Sequence, residues 1–163
     1  MARKVFYSFK YDQDYWRTQQ IRMIGVIEGN QPCAKNDWEN VRLGGDPAVY
    51  RWIDKQLIGR TCTIVLVGQE TSSSKFVNYE IRKSWELGLG VVGIRIHNLK
   101  DQDEKQSRMG KNPFLGQMVD GRLFSSYIKL HDPHFSHSQA VYNYIATNIS
   151  RWVEVAIYMR RTV

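Results

Sequence analysis

Apolar positions along the chain fall into short runs and helical stripes that alternate with polar breaks. Val5 to Phe9 is a β-branched and aromatic run bounded by polar residues, which predicts a strand. From Asp14 to Ile27, the residues Trp16, Met23, Ile24 and Ile27 suit one face of a helix, which Gly29, Asn30 and Pro32 then break. Cys33 to Trp38 is expected to hold a weak second strand. Gly44-Gly45-Asp46-Pro47 reads as a helix start, with Asp46 as N-cap and Pro47 at the first helical position. Val49, Trp52, Ile53 and Leu57 then form an apolar stripe. Thr61 to Val67 is almost wholly apolar, as a strand covered on both faces is. Ser72, Ser73 or Ser74 caps a helix predicted from about Phe76 to Leu87, with Val77, Ile81 and Trp85 inward and Gly88 at its end. Val91 to Ile96 is the next buried strand. Asn98 to Arg122 is polar and longer than most connections, so it is either functional or mobile. Tyr127 to Leu130 is expected to be a short last strand. From Ser138 onward, Val141, Tyr144, Ile145, Trp152 and Ala156 share one stripe of a long closing helix over 138–160. No internal repeat or low-complexity segment interrupts this order.

Strands alternating with helices imply an α/β domain over 1–163 with a mainly parallel sheet covered on both faces. Such sheets bind ligands beyond the carboxyl ends of their strands, at the topological switch point. That directs attention to the loops after Phe9, Val67 and Ile96 and to the segment around Trp38.

Composition changes this picture little. With 163 residues, 42% hydrophobic and 24% charged, the chain has room for a real core and no signature of disorder. No run approaches the roughly 18 apolar residues of a membrane span. The start, Met1 to Tyr7, enters a strand-like run with no signal-peptide core, so a cytoplasmic, membrane-free protein is expected. Of the two cysteines, Cys62 lies in an apolar run as a small core residue, and no zinc spacing exists around Cys33. The net charge of +7 suits an anionic partner or simply a solvated basic surface. Lys and Arg are spread from Arg3 to Arg161 without a focused stripe, which disfavours nucleic-acid binding.

Four groups of residues carry candidate chemistry. Phe76 and Glu80 are four apart on a predicted helix and share a face. At the rim of a cleft the ring stacks on a base or ribose, and the carboxylate stabilises positive charge at an anomeric carbon. The alternative is a partly exposed helix with a salt bridge from Glu80 to Lys83 or Arg82. Ser8, Phe9, Lys10 and Tyr11 follow the first strand, where a hydroxyl, a cation and two rings suit a phosphate and a nucleobase, or make an ordinary solvated strand end. Asn36-Asp37-Trp38-Glu39 is expected in a loop, with Asn and Asp building turns and Trp38 as a lid or interface anchor. His131, His134 and His137 have a three-residue spacing, but Pro133 interrupts them and no carboxylate motif accompanies them, which argues against a metal. Asp101 and Asp103 fail the later positions of an EF-hand, and no phosphate-binding or nucleophile-elbow motif occurs.

Several of these segments resemble the Toll/interleukin-receptor (TIR)-like family of the bacterial Thoeris anti-phage system. They are Arg3-Lys4-Val5-Phe6-Tyr7-Ser8-Phe9-Lys10-Tyr11, Asp37-Trp38-Glu39, Thr63-Ile64-Val65-Leu66-Val67-Gly68, Phe76 to Ser84, Val92 to Ile96 and Asn112-Pro113-Phe114. The resemblance implies the flavodoxin-like three-layer TIR sheet. It implies NAD as substrate, with no separate cofactor or metal, and cleavage of the nicotinamide–ribose bond to give a cyclic ADP-ribose-type second messenger. The family's glutamate falls on Glu80 as the catalytic residue. The aromatic residue four earlier falls on Phe76, where many relatives have Trp. Substrate binding is implied for Ser8, Phe9 and Lys10 and expected also of Asp37, Trp38 and Phe76, with Trp38 a candidate for closing the site. Self-association through TIR–TIR contacts is expected to complete the site, and a downstream effector is expected to read the diffusible nucleotide. Three other readings stay open: a non-catalytic interaction module using the 98–122 loop, nucleic-acid binding, and a nucleoside deoxyribosyltransferase with a glutamate nucleophile.

Overall fold

Two uninterrupted apolar strands set the frame. Cys62–Val67 (β3) and Gly90–Arg95 (β4) pair in parallel over six residues, with every residue of the first buried. Neighbouring side chains on β3 point to opposite faces. Ile64 and Leu66 face one core with Val5 and Tyr7, and Val65 and Val67 face another with Val77 and Ile81. The computed structural model describes residues 3–29 and 35–163.

In chain order the elements are β1 (Lys4–Ser8), α1 (Tyr11–Arg22), β2 (Glu28–Gly29), α2 (Lys35–Leu43), α3 (Asp46–Leu57), β3, α4 (Lys75–Glu86), β4, β5 (Met118–Val119), β6 (Arg122–Leu123), β7 (Leu130–His131) and α5 (Ser138–Thr162). The central sheet is parallel throughout, in the order β2-β1-β3-β4-β7. That is the flavodoxin-like arrangement, in which the strand order reverses between β1 and β3. α1 and α5 cover one face, and α2, α3 and α4 cover the other. β5 and β6 form a separate hairpin, whose two-residue turn, Asp120-Gly121, has positive φ at both positions.

Most predicted elements are present with shifted ends, and three expectations are corrected. First, the helix expected from Asp14 runs from Tyr11 to Arg22, and its buried face is Asp14, Arg17, Thr18 and Ile21. Trp16 is half exposed and Met23 is outside the helix and exposed. Tertiary hydrogen bonding overrides apolar periodicity here: Arg17 donates to Asp14 and to the Leu99 and Lys105 carbonyls, so a polar face packs inward. Second, the weak strand expected at Cys33 to Trp38 is not formed over its described part, since Lys35 onward is helical. Cys33, Asn30 and Pro32 lie outside the described residues, and the second strand is at Glu28–Gly29. Third, Asp37-Trp38-Glu39 lies in α2 and not in a loop. Trp38 and Val41 share the inward face of that helix against Phe6, Val49 and Ile53, and Asp37 sits in the first turn where a negative charge suits the helix dipole.

Smaller shifts follow the same logic. Gly45, at φ +82°, takes the N-cap expected of Asp46. Ser74 caps α4 by accepting from the Val77 N–H. The last sheet strand lies at Leu130–His131 and shares only Leu130 with the span expected from Tyr127 to Leu130. α5 buries Val141, Ile145, Ile149, Trp152, Val153, Ala156 and Ile157, while Tyr144 lies on its rim. It approaches β4 so closely that a Cβ on Gly90 would stand 2.7 Å from the Ile157 nitrogen. The 98–122 segment is pinned by Arg17 and by Arg95, which donates to the Gly110 carbonyl. Among the described residues no helix is long and apolar enough to cross a membrane.

Candidate active site

The reversal point between β1 and β3 opens into a cavity of about 80 Å³. Five elements build its wall. The end of β1 and the first turn of α1 supply Phe6, Tyr7, Phe9, Lys10, Tyr11 and Asp12. α2 supplies Trp38 and Arg42, α3 supplies Trp52, and α4 supplies Ser74, Phe76 and Glu80. Two helices thus each present a ring and a charged group four residues apart, Trp38 with Arg42 and Phe76 with Glu80, because that spacing repeats one face of a helix.

The rings hold one another. Trp38 stacks on Tyr11 at 5.4 Å between centroids and meets Trp52 and Phe76 edge-on at 5.8 and 6.0 Å. Tyr11 also stacks on Phe9. These are the offset and edge-on geometries that ring quadrupoles favour. The result is a stiff aromatic wall with flat faces suited to a base or pyridine ring.

Glu80 lies on the cavity wall and is only 7% exposed. Its Oε1 accepts a hydrogen bond from the Ser8 hydroxyl at 2.8 Å. Burial pushes its carboxyl up to about 8, against the opposing pull of the Ser8 hydrogen bond. The alternative salt bridge is not formed: among the described residues Glu80 has no ion pair, and Arg82 turns outward to donate to Gln117. The charged groups elsewhere on the wall are Lys10 and the Asp12–Arg42 pair, 3.6 Å apart. Because Asp12 and Arg42 offset each other, Lys10 leaves the wall with an excess cation apart from Glu80. The N-terminal turn of the 12-residue α4 opens onto the same space, and such termini favour anionic groups.

The structure therefore brings Phe9, Lys10, Trp38, Phe76 and Glu80 around one cavity. Ser8 is wholly buried behind the carboxyl and does not line the cavity, and Asp37 is exposed on α2, away from the wall. Sequence reasoning missed Arg42 as a wall residue and read Trp52 only as core. The Trp38/Arg42 spacing was a signal for the first, usable only once residues 35–43 are known to be helical. The histidine trio does not converge: His131 stacks on Trp152 at 4.1 Å and His134 is exposed beside Asp132.

Comparison with known proteins identifies related sequences. Residues 6–101 match the family model described as "Thoeris protein ThsB, TIR-like domain". The chain is also 36% identical, over 119 residues, to a protein of Bacillus cereus (strain MSX-D12) named "Putative cyclic ADP-D-ribose synthase ThsB1". That alignment covers 70% of this chain and 62% of the relative, so the chain spans less than two thirds of the length of the curated relative it matches.

Proposed function

The chain belongs to the Thoeris ThsB TIR-like family, and from that premise we propose that it is an NAD-consuming enzyme that cleaves the nicotinamide–ribose bond to make a cyclic ADP-ribose-type signal in anti-phage defence. The observation that carries this reading is a buried carboxyl, held by a hydroxyl and without an ion pair among the described residues, on the wall of an aromatic cavity at the point of the sheet where ligands bind.

The chemistry follows from charge. Nicotinamide leaves the ribose as a neutral molecule, and positive charge is left at the sugar carbon. A carboxylate there stabilises the transition state in a site with little water to screen it. Burial favours the neutral acid form of Glu80. An incoming pyridinium cation shifts that balance toward the carboxylate, so ionisation accompanies substrate binding. Phe76, Trp38 and Phe9 supply faces for stacking, and Lys10 with the start of α4 supplies positive potential for the pyrophosphate. Cyclisation instead of hydrolysis requires water exclusion and an adenosine end folded back toward the same carbon, and the ring wall serves both. Binding of a dinucleotide is proposed to be accompanied by movement of α2 with Trp38 on the cavity wall. Self-association is the proposed source of that movement, and the released nucleotide is the proposed message to a downstream effector.

The test is nicotinamide release and mass analysis of the nucleotide product, with wild type and Glu80→Gln at high protein concentration. Wild type is expected to give a product of ADP-ribose mass less one water, and Glu80→Gln to lose at least about a hundredfold in rate. Equal release from both proteins would overturn the assignment. A second reading, a signalling module without turnover, draws on the exposed Met109, Leu115, Met118 and Leu123 in and beside the 98–122 segment. It predicts a protein partner whose binding survives Glu80→Gln.

A further inference from the structure

We propose that Ser8 is the positioning residue of the site: its hydroxyl, fixed by the sheet, holds one oxygen of Glu80 and thereby sets how the carboxyl faces the cavity. The inference rests on the proposed role of Glu80. Ser8 is the last residue of β1, pairs with Val65 of β3 in the parallel register, and is wholly buried. It touches no ligand space, because it is not among the cavity-lining residues, whereas Glu80 is.

The local sequence explains why the contact is specific. Strand alternation puts Phe6 and Ser8 on one face, toward α2, α3 and α4, and Val5 and Tyr7 on the other. Packing alone would be served by an apolar residue at position 8. A buried hydroxyl needs a partner, and the partner here is Glu80. One turn along α4, Ser84 meets Thr63 of β3 at 2.7 Å, and both are wholly buried. Two hydroxyl links therefore tie the same face of α4 to neighbouring strands, and only the Ser8 link ends on an ionisable group. The Thr63–Ser84 link provides an internal control for loss of a buried hydrogen bond.

Ser8 acts on charge as well as orientation. An O–H donor favours the carboxylate over the acid, and here it opposes the effect of burial. The other charged groups around the cavity are Lys10 and Asp12 near the start of α1 and Arg42 on α2, and none is ion-paired with Glu80. α3 brings only Trp52, and α4 adds only uncharged Ser74 and Phe76. Without Ser8 the carboxyl faces burial with no other hydrogen bond among the described residues.

The experiment titrates Glu80 directly. Glutamates are labelled with carbon-13 at the side-chain carboxyl, and the Glu80 signal is identified by its loss in Glu80→Gln. Ser8→Ala is expected to titrate about one pH unit higher than wild type, since hydrogen bonds to charged groups carry that order of energy. Ser8→Cys, close in shape with a weaker donor, is expected to lie between them and serves if Ser8→Ala folds poorly. Thr63→Val is expected to lower stability without moving the Glu80 signal. In parallel, the acidic limb of nicotinamide release against pH is expected to move upward with Ser8→Ala, with KM within about twofold and kcat about tenfold lower at neutral pH. An unmoved Glu80 titration in both Ser8 variants, or an equal movement in Thr63→Val, would overturn the proposal. A moved titration with no nicotinamide release by wild type would instead remove the enzymatic reading and leave the Ser8–Glu80 coupling in place.

Discussion

Replacing Glu80 with Gln is expected to stabilise the fold, and increasingly so as the pH rises. The amide keeps the shape of the side chain and can still bond the Ser8 hydroxyl, but it never has to ionise in a buried site. The sign follows from proton linkage. In the unfolded chain the carboxyl loses its proton near 4.5, and in the folded site near 8. Between those values the native state holds one more proton than the unfolded state, so wild-type stability falls as pH rises, by about 1.4 kcal/mol per pH unit. Over the whole window the difference between Glu80→Gln and wild type should grow from near zero at pH 4 to roughly 3–6 kcal/mol at pH 8.5. For a chain of this length that is a Tm difference on the order of 10 °C. Asp14, whose carboxyl burial pushes up to about 6, gives a second declining window below that pH. It is shared by both proteins and cancels in the difference. The assay is urea unfolding followed by circular dichroism at half-unit steps from pH 4 to 9. A difference that stays constant across this range would refute the reasoning, because it would mean that Glu80 is ionised in the native state at neutral pH and in free contact with water.

Trp38→Ala removes a ring held by Tyr11, Trp52 and Phe76. It should destabilise by about 3 kcal/mol in urea unfolding, with Trp38→Phe within about 1.5. Arg17→Ala strands the buried Asp14 carboxyl and frees the Leu99 and Lys105 carbonyls. The expected loss is about 3–5 kcal/mol, with faster amide hydrogen exchange over residues 99–107, and part of it should return in the double variant with Asp14→Asn. Gly90→Ala should destabilise by at least about 2 kcal/mol, because the added carbon meets the α5 backbone, whereas Gly59→Ala meets open space and carries only the strain of its φ of +79°, about 1 kcal/mol. Thermal midpoints of the two glycine variants separate these cases.

What the sequence made legible follows from where one physical force dominates. β3 and β4 are apolar without interruption because both faces are covered, and no other element type competes for so short a run. α4 carries its stripe, its serine cap and its terminal glycine together, and Phe76 with Glu80 could be placed on one face from spacing alone. α1 was misread because its inward face is charged and is satisfied by carbonyls some 80 residues away, which no local pattern reveals. α2 was misread because Asn36 and Asp37 are turn formers, and only burial of Trp38 and Val41 against distant Phe6 and Ile53 favours the helix. The cavity wall draws on five elements, so Arg42 and Trp52 became visible as its members only through topology.

Asp14 and Glu80, the two buried carboxyls among the described residues, are treated in opposite ways, and the contrast bears on function. Asp14 is given a guanidinium at 2.8 Å on its own helix, which offsets much of its burial. Glu80 is given a neutral hydroxyl and, among the described residues, no cation, although Lys10 and Arg42 line the same cavity. A fold shaped only by stability would pair Glu80 or replace it, since an unpaired carboxyl in such a place weakens the native state at neutral pH. Rules that hold through the rest of a fold are broken where a site needs the exception. An unpaired carboxyl held by a hydroxyl against a wall of rings is poised for a positive charge that the protein itself does not supply, and a pyridinium nucleotide brings such a charge to the cavity.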